Sequence, residues 1–166
     1  NVGRTWDSNG RGSYGGEGSG GLNLGIAGMI YGDETITHLV GGSGGGHAAM
    51  GTGNSGGGGG AIAFEVAGDF SIDANGSVTV IGGKGSIDAD SSGAGGSGGA
   101  VRIEASNITN NGRILAMGGD AYGLGGPGGG GRISLVSSGT LLEGDTNASG
   151  GKSFGSPAST HRSSDL

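Results

Sequence analysis

Few residues here are equipped for chemistry: 8 Lys and Arg, 14 Asp and Glu, 3 His and no Cys in 166 residues. Without Cys there are no thiolate metal ligands and no disulfides. His38, His47 and His161 lie in unrelated contexts, and none belongs to an HExxH pair. Gly151-Lys152-Ser153 matches the end of a phosphate-binding loop, but the glycine required five places before Gly151 is Thr146, so the cradle of amides is incomplete. Gly82-Gly83-Lys84-Gly85-Ser86-Ile87-Asp88 comes near a calcium-binding nonapeptide, with Asp88 one place late and no recurrence. Asp88 and Asp90 are the carboxylates left for a calcium ion, and solvated turn carboxylates are the plainer reading. No nucleophile elbow and no clustered carboxylates of the glycosidase kind stand out. The expectation is a chain with no catalytic centre and no cofactor. Asn75-Gly76-Ser77, Asn107-Ile108-Thr109 and Asn147-Ala148-Ser149 fit the N-glycosylation acceptor pattern, which makes Asn75, Asn107 and Asn147 the candidate modification sites.

Composition sets a sharper limit than the motifs. Gly supplies 48 residues and apolar types only 31%, so a large hydrophobic core is hard to assemble. Each ordered Gly loses more backbone entropy than any other residue, and only a regular hydrogen-bonded scheme recovers that loss. Charged residues make up 13%, too few for a charge-driven disordered tail. A formal net charge of −6 argues against nucleic acid, whose phosphates call for clustered Lys and Arg. No apolar run approaches the ~18 residues of a spanning helix, and the first residues lack the charged start and apolar run of a secretion signal.

Internal repetition supplies the organisation. A unit opens after a Gly cluster with a period-two apolar run, passes Asn-Gly, and closes on a Gly pair. It is clearest as Ile62/Phe64/Val66, Asn75-Gly76 and Gly82-Gly83, then as Val101/Ile103/Ala105, Asn111-Gly112 and Gly118-Gly119. A fainter copy runs from Arg132 through Leu141-Leu142 and Gly144 to Gly150-Gly151, and a partial one has Leu22, Leu24, Ile26 and Val40-Gly41-Gly42. First strands near residues 62, 101 and 133 are 39 and 32 residues apart, the difference being absorbed in glycine. The alternation predicts half-buried strands, and the Asn-Gly pairs predict turns built on positive φ. Parallel stacking of the units places Glu65 over Glu104, with Arg102 or a cation needed between them. The chain is therefore expected to be one all-β, glycine-rich domain over 1–166, a repetitive β-solenoid or β-helix-like stack. Its units span about 20–42, 56–83, 95–119 and 128–151, with irregular ends 1–15 and 152–166. The Gly segments joining the strands have two fates, exposed flexible loops or extended polyglycine II helices hydrogen-bonded side by side.

The run Gly95-Gly96-Ser97-Gly98-Gly99-Ala100-Val101-Arg102-Ile103-Glu104-Ala105, continued by Asn107-Ile108-Thr109-Asn110-Asn111-Gly112-Arg113-Ile114, resembles the coils of large secreted bacterial adhesins of the filamentous-haemagglutinin type. Its Gly clusters are similar to the polyglycine regions of some phage tail-tip adhesins. The likeness extends over about residues 20–151 and departs from haemagglutinin coils in its long Gly insertions. It implies a cell-surface or extracellular location and a structural or adhesive role. Uncapped stack ends tend to join another copy, so the expected function is a subunit of a self-assembling filament or surface matrix. Trp6, Tyr14 and Phe154 are the candidate assembly contacts. The alternatives are an adhesin that binds glycans or surfaces through exposed loops and, as a minor case, an ice-binding module.

Overall fold

The computed structural model describes residues 14–16, 28–46, 54–88, 91–123 and 125–154. Among them every regular element is a strand and none is a helix. The described residues make three passes of one plan, and Leu22, Leu24 and Ile26 of the expected partial unit lie outside them. The first carries β1 (Ala61–Ile72), β2 (Ser77–Thr79), β3 (Ile87–Asp88) and β4 (Ser91–Ser92). The second has β5 (Ala100–Asn110), β6 (Arg113–Leu115) and β7 (Ala121–Tyr122). In the third, β8 (Arg132–Ser137) and β9 (Leu141–Leu142) share the place of one long strand, followed by β10 (Asp145–Asn147) and β11 (Ser153–Phe154).

Equivalent strands pair in parallel. One sheet has the order β1-β5-β8, with β9 beside the far half of β5, and a second has the order β10-β6-β2. Ala61 faces Ala100 and Ala100 faces Arg132, while Ser77 faces Arg113 and Arg113 faces Asp145. The β1–β5 register shifts between Val66 and Asp69, where β1 holds an extra residue. Phe64, Ile103 and Leu135 thereby share one row across the sheet. Alternation sends Val101, Ile103, Ala105 and Ile108 of β5 inward, where they meet Ile114 of β6 and Val80. Because β5 has a neighbour on each side, these residues are fully or almost fully buried. Their counterparts on β1 and β8, Ile62, Phe64, Ile133 and Leu135, are only half-buried.

The glycine segments are ordered by hydrogen bonds between themselves. Residues 93–99 donate in a rotation of three: Gly95 and Gly98 to the carbonyls of Gly126 and Gly129, Gly96 and Gly99 to those of Gly83 and Val80, Ala94 and Ser97 to those of Gly46 and Ser43. A three-residue turn points successive amides in three directions, so each segment bonds several neighbours at once. One thread of bonds runs from Gly151 to Gly128, Gly119, Gly96, Gly83 and Gly57, each N–H donating to the next carbonyl. Close approach is what requires glycine here. A Cβ on Gly96 would overlap Gly57 O, and one on Gly119 would overlap Gly83 O. Pro127 fits the segment 125–131 because its ring fixes the extended φ such a segment adopts.

The turns stand where Asn-Gly places them, but for a different reason than expected. Positive φ occurs among the described residues at Gly32, Gly123, Gly144 and Ile36, not at Asn75, Gly76, Asn111 or Gly112. Gly76 N–H closes its turn on Asp73 O at 2.7 Å. Gly112 is glycine because a Cβ would overlap Gly76 O in the turn beneath and come within 2.5 Å of Asp73 O. Stacking, rather than the turn's own torsions, sets the requirement.

Candidate functional site

The outward face of the β1-β5-β8 sheet carries ladders of polar side chains. Parallel register sets Glu65 against Glu104. Arg102 lies between them and bonds both, its Nη1 3.1 Å from Glu65 Oε1 and its Nη2 on Glu104 Oε2. The like-charge pair is thus joined by a guanidinium fork, which has donors for two carboxylates at once. One step on, Asn107 Nδ2 donates to Asp69 Oδ1 at 2.7 Å while its Oδ1 accepts from Thr140 N–H at 2.8 Å. Asn107 therefore ties the three passes together. Asn110, which is buried, joins the second and third passes inside the turn: its Nδ2 donates to Glu143 O at 2.6 Å and its Oδ1 accepts from Gly112 N–H at 3.1 Å.

The second layer ends in a shorter ladder. Lys84 Nζ lies 3.2 Å from Asp120 Oδ2, and Lys152 N–H donates to Asp120 Oδ1 at 2.9 Å. Partial burial pushes the Asp120 carboxyl up, but the Lys152 amide and the Lys84 ammonium outweigh it and hold the group below the usual carboxylate range. Beyond it Phe154 stacks on Tyr122, centroids 5.1 Å apart and planes at 21°. The Gly pairs that close each unit place these residues. Ile81-Gly82-Gly83-Lys84, Met117-Gly118-Gly119-Asp120 and Ser149-Gly150-Gly151-Lys152 share an x-Gly-Gly-x spacing. With three residues per turn, the two side chains of each unit fall on one side and the glycines face neighbours.

The candidate sites of the sequence fall in different places. Asn75 is exposed at the first turn. Asn107 is engaged in the ladder just described, and Asn147 accepts from Ser149 N–H at 2.9 Å. Of the assembly candidates, Phe154 is 42% exposed, and Trp6 lies outside the described residues. Tyr14 does not suit the role, because its ring is fully buried within its own chain. It packs on Tyr31 at 5.0 Å and under the Arg132 guanidinium at 5.5 Å, and burial pushes its phenol up. Asp88 stands in β3, while Asp90, His47 and His161 lie outside the described residues. His38 is exposed beside Asp33, whose carboxyl is held well below its usual range by the Thr37 amide and the Thr35 and Thr37 hydroxyls. Among the described residues no group of three or more His, Asp or Glu could hold a metal ion, and no helix is long and apolar enough to cross a membrane.

Among the described residues no strand pairs with the outer edge at either end of the three passes. β1 and β2 lie at the edges of their sheets on one side, β8, β9 and β10 on the other. At the third pass Ile133, Leu135 and Leu141 line a mouth of about 440 Å³ flanked by Glu34, Arg132 and Glu143. Leu141 at that mouth is 46% exposed, and Val136 and Leu142 elsewhere on the third pass are 44% and 51% exposed. No family model matches this chain, and no curated protein or solved structure shows significant similarity to it.

Proposed function

We propose that this chain is an extracellular structural protein, the body of a self-assembling filament or surface matrix, built as a β-solenoid-like stack with a polyglycine II bundle along one side. The observation that carries the reading is the pair of parallel sheets whose outer strands have no partner among the described residues, continuous with a cross-bonded glycine lattice. Each pass repeats the contacts of the one before, so such a body lengthens by adding passes or copies without a new kind of interface. The lattice is dense in main-chain bonds and poor in reactive side chains, which suits a load-bearing element. Sedimentation velocity across a hundredfold concentration range tests the reading. Growth of large species with concentration supports it, and a single monomer boundary throughout contradicts it.

One observation favours adhesion as a second reading. The Tyr122–Phe154 pair leaves an aromatic face in solvent beside Lys84, Asp120 and Lys152. A flat ring flanked by hydrogen-bonding groups is a common platform for a sugar, because it covers the apolar C–H face while polar neighbours meet hydroxyls. Binding to immobilised polysaccharides that disappears in Phe154→Ala, from a protein that stays monomeric, is the result that selects this reading over the first.

A further inference from the structure

Among the described residues, nothing covers the outer face of the first pass at Gly57 and Gly60. In the interior, glycines stand in columns in which each Cα abuts the carbonyl of the pass before. A Cβ on Gly99 would overlap Gly60 O, one on Gly131 would overlap Gly99 O, and one on Gly15 would overlap Gly131 O. The same holds from Gly128 to Gly96 and from Gly96 to Gly57. Gly57 and Gly60 begin these columns. Both are exposed, and a Cβ on either meets nothing within 4 Å among the described residues. Neither has a φ in the left-handed region, so neither torsion nor packing against the described residues calls for glycine there. Alongside them the 12-residue β1 is an edge strand, with Ile62, Phe64 and Phe70 half-buried where Val101, Ile103 and Ile108 above them are covered. Unpaired edges of this length are templates for pairing with another chain.

We propose that a second copy of this chain docks on that face, head to tail, presenting residues 14–16 with Gly15 at their centre. The column Gly60–Gly99–Gly131–Gly15 then continues across the junction, with Gly60 of one copy on the carbonyl of Gly15 of the next. The occupant follows from continuity with the contacts inside the chain. Gly15 N–H already donates to Gly130 O at 3.0 Å on the third pass, so Gly15 is the last described step of the column and Gly60 the first. A head-to-tail contact between different surfaces does not close as a two-fold dimer, and where each copy continues the stack of the one before it propagates into a filament. This inference rests on the self-assembly proposed above and adds the surface that mediates it.

The test uses Gly57→Glu and Gly60→Glu in the full chain, each placing a charged side chain in open space. Gly99→Ala serves as the interior control, since its Cβ would overlap Gly60 O. Melting temperature, sedimentation velocity and negative-stain images are recorded for each and for the parent. The expected result is large assemblies for the parent and monomers for both Glu variants, whose melting as isolated monomers stays within a few degrees of the parent's. Parent-like assembly by both Glu variants overturns this junction and leaves the structural reading standing. A parent that stays monomeric overturns both.

Discussion

The glycine lattice separates two kinds of glycine, and one pair of variants measures the difference. In Gly96→Ala the added methyl would overlap Gly57 O and lie 2.6 Å from Gly57 C, both backbone atoms without a rotamer by which to retreat. Forcing a methyl into a packed interior costs ~1–3 kcal/mol and sometimes more. In Gly57→Ala, three residues from an equally extended neighbour, the methyl meets nothing within 4 Å among the described residues. There the lower entropy of the unfolded chain is the main effect and stabilises by about 0.4–1 kcal/mol. The two variants should therefore differ by about 1.4–4 kcal/mol. At about 2–4 °C per kcal/mol for a chain of this size, that is a gap of roughly 3–16 °C in melting temperature, with Gly57→Ala the higher. Thermal and urea unfolding followed by circular dichroism, under conditions where both variants are monomeric, reads the gap. Equal melting of the two refutes the close-packed lattice, because exposed flexible loops accept a methyl at either position alike.

Other consequences concern the ladders. Arg102→Met leaves Glu65 and Glu104 opposed without a cation, and urea denaturation should show a loss of about 0.5–1 kcal/mol that shrinks in high salt. Adding Glu104→Gln to it should recover most of the loss, and no recovery contradicts the bridging role of Arg102. Asn110→Leu strands the buried Gly112 amide and removes the bond to Glu143 O, so a destabilisation of about 1–3 kcal/mol is expected by the same assay. Asp120 has a folded pKa held below its unfolded value of about 3.9, so its contribution is present above that pH and lost as pH falls through the folded value. Acid titration of Asp120→Asn should accordingly lack part of the parent's loss of stability below about pH 4, while the variants converge at the lowest pH.

How far the residues alone reveal this arrangement depends on which physical signal each part carries. Alternation in Ile62/Phe64/Val66 and Val101/Ile103/Ala105 announces β1 and β5 because one face is buried, and the shared order of parts announces that the passes align. Glu65 over Glu104 follows from that alignment, as does the need for Arg102. The strand division at β8 and β9 is less legible, since Ser138-Gly139-Thr140 interrupts the apolar alternation at the open side of the stack. Asn75-Gly76 and Asn111-Gly112 mark the turns correctly, yet the stacked carbonyls that demand Gly112 come from a residue distant in the chain. No local rule for positive φ anticipates that. Tyr14 reads as an end residue by position, whereas tertiary contacts with Tyr31 and Arg132 bury it. The Gly pairs recur visibly at 82–83, 118–119 and 150–151, but the Lys84–Asp120–Lys152 ladder beside them depends on a three-residue period and on lateral hydrogen bonds that neither alternation nor helical spacing signals.

Negative-stain electron microscopy of the purified chain at micromolar concentration bears most directly on the proposed structural role. Regular filaments of one width, lengthening as the concentration rises, are the predicted result. Compact monodisperse particles at every concentration contradict it and shift the weight to binding through the Tyr122–Phe154 face.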